Sequence, residues 1–313
     1  PEEDVAVPIL VVINLETMEK KQYSGTSLNS RISSATFINN ETLLVNRSCA
    51  RGAGSSGTVD CYTLYGLNVV TGKREALIQA KQTSSGQGVR YPSLFDVMPQ
   101  YPNKIIITMN RMPQFPWRFR DLYWLDLETK RTTKIAEVPD IRNEWHQQWL
   151  IDHEGNARGF VTNHDDRKDR EPNGPRDGLY TYVYLMDPET KKYERMAACK
   201  HQEPCFMPLT FDFDNRMLFG VGQAVNPDGS LDKTMEYTDT NALWLYDTKE
   251  NKYVEKVFHD PFFGFSNPRQ GYSDGRVLQD RFNKINLGLR YSAEKTKYIY
   301  WDETYGYLSL IHI

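Results

Sequence analysis

The chain has 313 residues, of which 39% are hydrophobic, 12% aromatic and 25% charged, and its formal net charge is −3 at pH 7. This is the profile of a soluble globular protein, without the basic excess that marks nucleic-acid binding. The longest apolar run, VAVPILVVI at 5–13, is too short for a membrane-spanning helix. The composition therefore argues against a nucleic-acid partner and a membrane span.

One hairpin phrase recurs along the chain. An apolar run meets an Asp or Asn, usually with a Thr three residues later, and a polar run follows. The turn residues repeat at steps of roughly 55–60 residues and are Asn14, Asn68, Asp126, Asp187, Asp247 and Asp302. An Asp or Asn side-chain oxygen can accept a hydrogen bond from the backbone N–H two residues on, which starts a turn.

The fourth residue after each turn Asp or Asn follows a looser rule. Gly72, Asn251 and Gly306 stand there, where a residue in the left-handed conformation closes a bulged hairpin. Met18, Lys130 and Lys191 do not fit this rule, so the sequence indicates a pattern and not a strict motif.

A second strand–turn–strand phrase lies between the hairpins, at 35–45, 94–108, 148–161, 209–221 and 277–289. Each period thus holds about four strands, which is typical of a β-propeller blade. The strands LYWL, VYLM and LWLY are apolar on both faces, as expected for sheets stacked between neighbours. We predict an all-β propeller of four-stranded antiparallel blades, with about five to seven blades and an N-terminal blade that could be incomplete. A β-sandwich or an open array of hairpins is the alternative.

The propeller is predicted to cover residues 1–305.

The four cysteines form two local pairs, Cys49 with Cys61 and Cys199 with Cys205. This spacing suits two disulfides in an oxidising compartment. Four separate buried thiols are an equally good interpretation. No CxxC spacing is present, and the histidines do not cluster with the cysteines, so no metal site is predicted.

No catalytic motif is legible in the 313 residues. The nucleophile elbow G-x-S-x-G, the dinucleotide fingerprint and the phosphate-binding P-loop are all missing, so no catalytic residue and no cofactor are predicted. Two loops, 110–121 and 163–178, are longer than hairpin turns, and such loops often carry function. Arg side chains of the first loop could hold a carboxylate or a carbonyl oxygen. Alternatively, both are solvated edge loops.

The stretch NEWHQQW at 143–149 places Glu144 beside Trp145 and His146. Trp145 or Trp149 is expected to be a core aromatic of a blade. The residues singled out as candidates for a binding site are Arg111, Arg118, Arg120 and Glu144.

Five stretches carry a resemblance to a known family: DVAVPILVVINLET, SATFINNETLLVNRS, NRMPQFPWRFRDLYWLDLETKRTTKI, WLIDHEGNARGFVT and RYSAEKTKYIYWDETY. Together they resemble the β-propeller domain of the prolyl oligopeptidase family of serine peptidases, in particular bacterial dipeptidyl-peptidase or acylaminoacyl-peptidase members. The resemblance covers most of the chain. It implies a cap over an α/β-hydrolase domain of the same polypeptide, which would carry the Ser, His and Asp of acyl transfer. The tail at 306–313, GYLSLIHI, would then be the start of a linker to that domain, or foreign sequence.

On this interpretation the chain alone is not catalytic, and it gates access for short peptide substrates. Propeller Glu or Arg residues would hold the amino terminus or a carbonyl of the peptide. The alternatives are a free-standing secreted propeller that binds a protein or peptide, and a propeller enzyme with carboxylate chemistry in its central channel. A periplasmic or secreted location is expected, with the cytoplasm as the alternative.

Overall fold

The computed structural model describes residues 9–23, 30–50, 58–60, 63–79, 81–82, 89–90, 92–111, 120–166, 178–187, 189–200, 203, 205–264, 275–301 and 303–305. The chain divides into two compact units, Pro1–Glu137 and Val138–Ile313.

The first unit contains two sheets of blade size and two smaller strand pairs. Blade 1 has the order β3 (Ser30–Phe37), β4 (Thr42–Ala50), β6 (Thr63–Asn68) and β7 (Arg74–Gln79), and β5 (Thr58–Asp60) also pairs with β4. Blade 2 consists of β10 (Pro92–Val97), β11 (Lys104–Asn110), β12 (Arg120–Asp126) and β13 (Thr132–Ala136). The smaller pairs are β1 (Leu10–Ile13) with β2 (Lys20–Tyr23), and β8 (Lys81–Gln82) with β9 (Val89–Arg90).

The second unit contains three consecutive sheets. Blade 3 consists of β14 (Glu144–Ile151), β15 (Ala157–Asp165), β16 (Leu179–Met186) and β17 (Tyr193–Lys200). Blade 4 consists of β18 (Phe206–Phe211), β19 (Met217–Gly222), β20 (Ala242–Asp247) and β21 (Lys252–Phe258). Blade 5 has three described strands, β22 (Arg276–Asp280), β23 (Ile285–Ser292) and β24 (Thr296–Tyr300).

Within each of these sheets, adjacent strands pair antiparallel. The predicted all-β fold class, a propeller of antiparallel blades, is confirmed, with five blades, of which blade 5 has three described strands. Among the described residues, no helix has the length and apolar character needed to cross a membrane.

The hairpin phrase forms the turn that the sequence predicts. Oδ1 of Asp126 accepts hydrogen bonds from the backbone N–H of Glu128 at 3.1 Å and of Thr129 at 2.8 Å. The same pair of bonds forms at Asn14, Asn68, Asp187 and Asp247. Asp302 lies outside the described residues. Two orphan backbone donors are thereby satisfied inside each tight turn.

The sequence pattern left Met18, Lys130 and Lys191 out of the rule for a left-handed residue that closes the turn, and this expectation is wrong. All three adopt the left-handed conformation, with φ of 58°, 59° and 57°, as Gly72 and Asn251 do at 72° and 51°. The backbone N–H of Lys191 also donates to the carbonyl of Asp187 at 3.0 Å, which closes the turn. The side-chain oxygen of the Asp or Asn therefore determines the turn. The residue four places later adopts the left-handed conformation even where it is not Gly or Asn.

The blade strands are buried on both faces, as their composition predicts. Ile105, Ile106 and Ile107 are successive residues of β11, and all three are fully buried. Successive side chains of a strand point to opposite faces, so both faces of this strand are covered. In the second unit, one apolar cluster runs from Val183 in blade 3 through Trp244 in blade 4 to Leu289 in blade 5.

A disulfide joins Cys199, in β17, to Cys205, directly before β18, with their Cα atoms 5.1 Å apart. It therefore spans the connection between blades 3 and 4. The other cysteine pair lies outside what the structure describes: Cys49 takes part in β4 through its backbone, and Cys61 is not described.

His153, in the turn between β14 and β15 of blade 3, forms hydrogen bonds to blade 4. The backbone N–H of His153 donates to Oδ1 of Asn215 at 2.8 Å, and its ring Nε2 donates to the carbonyl of Phe211 at 2.9 Å. The ring stacks on Phe213 with 4.2 Å between centroids. Burial lowers the pKa of His153 below its usual value, because the charged imidazolium loses solvation.

The depressed pKa of His153 predicts a stability that depends on pH. The unfolded chain binds the proton more readily than the folded chain, so the free energy of unfolding falls as pH drops below about 6.5. We expect His153→Gln, which cannot titrate, to flatten this dependence in urea titrations between pH 8 and 5. Equal slopes for the parent and the variant would contradict this.

The left-handed lysines predict a stabilising substitution. Lys191→Gly should raise the free energy of unfolding by roughly 0.5–1 kcal/mol, because a side chain disfavours this conformation and glycine does not. Lys192→Gly, at the next position, is the matched control and should lower the stability instead. Chemical denaturation measures both, and a loss of stability in Lys191→Gly would refute the expectation.

Candidate functional site

Arg111 is held inside blade 2. Its guanidinium donates two hydrogen bonds to the carboxylate of Asp121, from Nε at 3.1 Å and from Nη2 at 2.6 Å. Its Nη1 also lies 3.2 Å from Glu137 Oε1. Asp121 is only 2% exposed, and this ion pair compensates for the burial of its charge. Arg111 thus stabilises the blade at the end of the arginine-rich loop.

The other two arginines of that loop have different positions. Arg120 is the first residue of β12 and pairs with Asn110 of β11 in the backbone register. It is therefore a neighbour of the Arg111–Asp121 pair. Arg118 lies outside the described residues.

Glu144 belongs to the second unit and is the first residue of β14. It is 6% exposed. Its Oε2 accepts a hydrogen bond from the hydroxyl of Thr162 at 2.7 Å, and its Oε1 accepts one from the hydroxyl of Tyr184 at 3.0 Å. Both hydroxyl groups come from the next two strands of blade 3, so the sheet itself builds the surroundings of this carboxylate.

The side chains around Glu144 form an aromatic face on blade 3. Tyr180, Tyr182 and Tyr184 alternate along β16 and therefore share one face of the sheet. Tyr180 and Tyr182 stack with 5.8 Å between ring centroids, and the ring of His164 lies 5.4 Å from that of Tyr182. We call Glu144, His164 and the three tyrosines the Glu144 cluster.

A cation already lies on this aromatic face. The guanidinium carbon of Arg195 is 5.1 Å from the ring centroid of Tyr182. A tyrosine ring attracts cations through its negative face, so this contact shows that the surface accepts positive charge.

The hydroxyl groups of Tyr182 and Tyr184 stay protonated at neutral pH. Burial raises the pKa of Tyr184 well above its usual value, and the charge of Glu144 adds to the rise. Burial also raises the pKa of Tyr182. Tyr184 is therefore a hydrogen-bond donor to the carboxylate, and not a base.

His164 is the least satisfied member of the cluster. Its Nδ1 is buried and has no hydrogen-bond partner among the described residues. A buried nitrogen without a partner is costly, and in native structures such groups often take part in binding or catalysis. The cluster thus combines a carboxylate, an imidazole and phenol groups on one sheet face.

Sequence reasoning singled out Glu144 as a candidate and missed the side chains that surround it. The signal was present in YTYVYLM, where tyrosines recur at every second residue of a predicted strand and must share one face. Trp149, the neighbouring aromatic, is 1% exposed and contacts Phe160 edge to face at 5.8 Å, so it is a core residue as expected.

A cavity of about 250 Å³ lies elsewhere in the second unit, beside the hairpins that end β16 and β20. It is lined by Asp187, Arg195 and Tyr253 among others, and not by Glu144. The hydroxyl of Tyr253 is already bonded to the backbone of Val225 at 3.0 Å. No group of three or more His, Cys, Asp or Glu side chains that could hold a metal occurs in the described part of the chain.

The chain is similar to several solved structures at low sequence identity. No protein-family model and no curated protein matches the sequence. The solved structures that resemble it include Porphyromonas gingivalis dipeptidyl peptidase 4, with 10% identity and a TM-score of 0.49 over 93% of this chain and 40% of that one. An oligogalacturonate lyase of Vibrio parahaemolyticus shares 13% identity, with a TM-score of 0.43 over 93% and 70% of the two chains.

An acylaminoacyl peptidase of Pyrococcus horikoshii is also similar, with 11% identity and a TM-score of 0.32 over 87% of this chain and 46% of that one. The chain thus spans less than half of either peptidase. At these identities and TM-scores the likeness carries no argument about function, which has to be argued from the site.

The role of Arg111 can be tested by removing its charge. Arg111→Gln leaves the buried carboxylate of Asp121 without its cation, so the free energy of unfolding should fall by about 3 kcal/mol. Arg131→Gln, an exposed arginine of the next hairpin, is the control and should change it by less than ~0.5 kcal/mol. Urea denaturation measures both, and equal small effects would show that the pair contributes little.

Proposed function

We propose that this chain is a non-catalytic propeller domain of a serine peptidase, which caps an α/β-hydrolase domain of the same polypeptide and admits short peptides. Three things support the proposal. The fold is a β-propeller, the ordered stretches resemble the prolyl oligopeptidase family, and the Glu144 cluster presents a buried carboxylate among aromatic rings. The Glu144 cluster is the observation that supports short peptides as the class of substrate.

The Glu144 cluster suits the charged amino terminus of a peptide. An ammonium group has three N–H donors, and a buried carboxylate is its natural acceptor. The tyrosine rings add attraction for the same positive charge. Because the carboxylate is already positioned by Thr162 and Tyr184, little side-chain entropy is lost when the peptide binds.

The reaction itself would take place in the hydrolase domain. Its serine would attack the scissile carbonyl, its histidine would carry the proton, and backbone N–H groups would hold the oxyanion. The part of this chain is to hold the amino end of the peptide while the scissile bond reaches the serine. Fixing one end of a flexible substrate lowers the entropic barrier of the chemical step.

The location that we propose is an oxidising one, the periplasm or the outside of the cell. The Cys199–Cys205 disulfide supports it, because structural disulfides persist in such compartments and are rare in the cytosol.

Substitution of Glu144 tests the proposal. Glu144→Gln keeps the size of the side chain and removes its charge, so the Kd for a short peptide with a free amino terminus should rise at least ~10-fold. The measurement is fluorescence anisotropy of the purified chain with a pentapeptide labelled at its carboxyl end.

Two controls separate the amino terminus from the rest of the peptide. Acetylation of the same pentapeptide should weaken binding to the parent chain and leave binding to Glu144→Gln unchanged. Glu189→Gln, at an exposed hairpin tip of the same blade, should behave like the parent. If the acetylated and free peptides bind the parent chain equally, the assignment of Glu144 fails.

A further inference from the structure

Blade 5 is the most cationic part of the described chain. Between residues 276 and 300 there are six basic residues, Arg276, Arg281, Lys284, Arg290, Lys295 and Lys297, and two acidic ones, Asp280 and Glu294. The whole chain has a net charge of −3. Positive charge is therefore concentrated on this sheet.

On one face of blade 5, the cation Lys297 interacts with other residues of this chain. Leu289 and Tyr291 are buried in the apolar cluster of the second unit. Lys297 lies over the ring of Tyr291 at 5.8 Å, with its ammonium 3.7 Å from Asp260 Oδ2. The hydroxyl of Tyr291 donates to the same carboxylate at 2.8 Å. This face is packed and electrically balanced.

The opposite face carries two arginines and a tyrosine in one row. Arg276 of β22 pairs with Arg290 of β23, and Arg290 pairs with Tyr298 of β24. Directly paired residues on antiparallel strands point to the same face, with Cβ atoms roughly 5 Å apart. Arg276 is exposed, and Tyr298 is 51% exposed. We call these three residues the Arg276 row.

The two arginines repel each other and have no balancing group in the described part of the chain. Like charges directly opposite on neighbouring strands are destabilising. Neither guanidinium makes a hydrogen bond or ion pair with any described residue, and Nε of Arg290 is buried without a partner. By contrast, the side chain of Arg216 grips Asp247, with Nε at 2.9 Å from Oδ1. A buried donor without an acceptor among the described residues is a group to which a ligand could supply one.

A flat aromatic surface borders the row. Tyr298 and Tyr300 stack in parallel, with 6.4 Å between ring centroids and 11° between ring planes. Tyr298 adds a phenol group that can donate one further hydrogen bond.

We propose that the Arg276 row binds a phosphate group, either as free phosphate or on a phosphomonoester. A single carboxylate has two oxygens and one charge, which satisfy one guanidinium fork. Phosphate offers three or more oxygens and close to two charges, which match two adjacent forks. Phosphate also removes the repulsion between the arginines, so its binding stabilises the sheet. The site is independent of the Glu144 cluster, which lies on blade 3.

Thermal unfolding with inorganic phosphate tests the site. At constant ionic strength, replacing chloride by phosphate should raise the Tm of the full chain in a saturable way. Arg276→Gln and Arg290→Gln should each weaken the apparent Kd for phosphate at least ~10-fold. Without phosphate, Arg276→Gln should unfold at or above the Tm of the parent, because the repulsion is gone.

Matched experiments separate specific binding from a general salt effect. Phosphate also stabilises many proteins weakly, because it is excluded from their surface. This nonspecific increase in Tm should be the same in the parent and in all variants. Lys295→Gln, an exposed cation in the turn of the same sheet, should keep the full response. Phenyl phosphate that competes with inorganic phosphate supports a phosphomonoester. The proposal is overturned if both arginine variants respond to phosphate like the parent, or if acetate acts as strongly.

Discussion

The recurring turn, in which one Asp or Asn oxygen accepts two backbone N–H groups, is the constraint on which the rest of the structure depends. At Asp126 the two bonds fix where β12 ends and β13 begins, and hence the register of that hairpin. A shift of one residue would move every side chain of a strand to the opposite face. Because the strands are buried on both faces, such a shift would misplace the residues of two packing surfaces at once.

The fold could be predicted from sequence because its signals are local and repeated. The period of the turns, the apolar runs and the absence of helical periodicity all point to four-stranded blades. The conformation of Lys130 and Lys191 could not be predicted, because propensity disfavours a left-handed lysine. In the folded chain the hydrogen bonds of the turn outweigh that preference.

The site was harder to predict, because the environment of a charge depends on contacts across strands. Arg111 stood in an arginine-rich loop and suggested a ligand, but register places Asp121 beside it as a buried partner. Glu144 was identified from a short stretch of sequence, but its partners Thr162 and Tyr184 come from strands 18 and 40 residues away. Arg111 and Arg216 thus neutralise carboxylates, whereas the side chain of Arg290 has no partner in the described chain.

The disulfide between Cys199 and Cys205 has a consequence for the integrity of the backbone. It bridges the connection from blade 3 to blade 4, so the chain passes between these sheets along two covalent routes. A protease that cut one peptide bond between the two cysteines would leave both fragments joined through sulfur. The nicked molecule would then unfold with nearly the same chain entropy as the intact one, since the ends stay tethered. Connecting loops are preferred sites of nicking, and at this one a single cut does not separate the two parts of the chain.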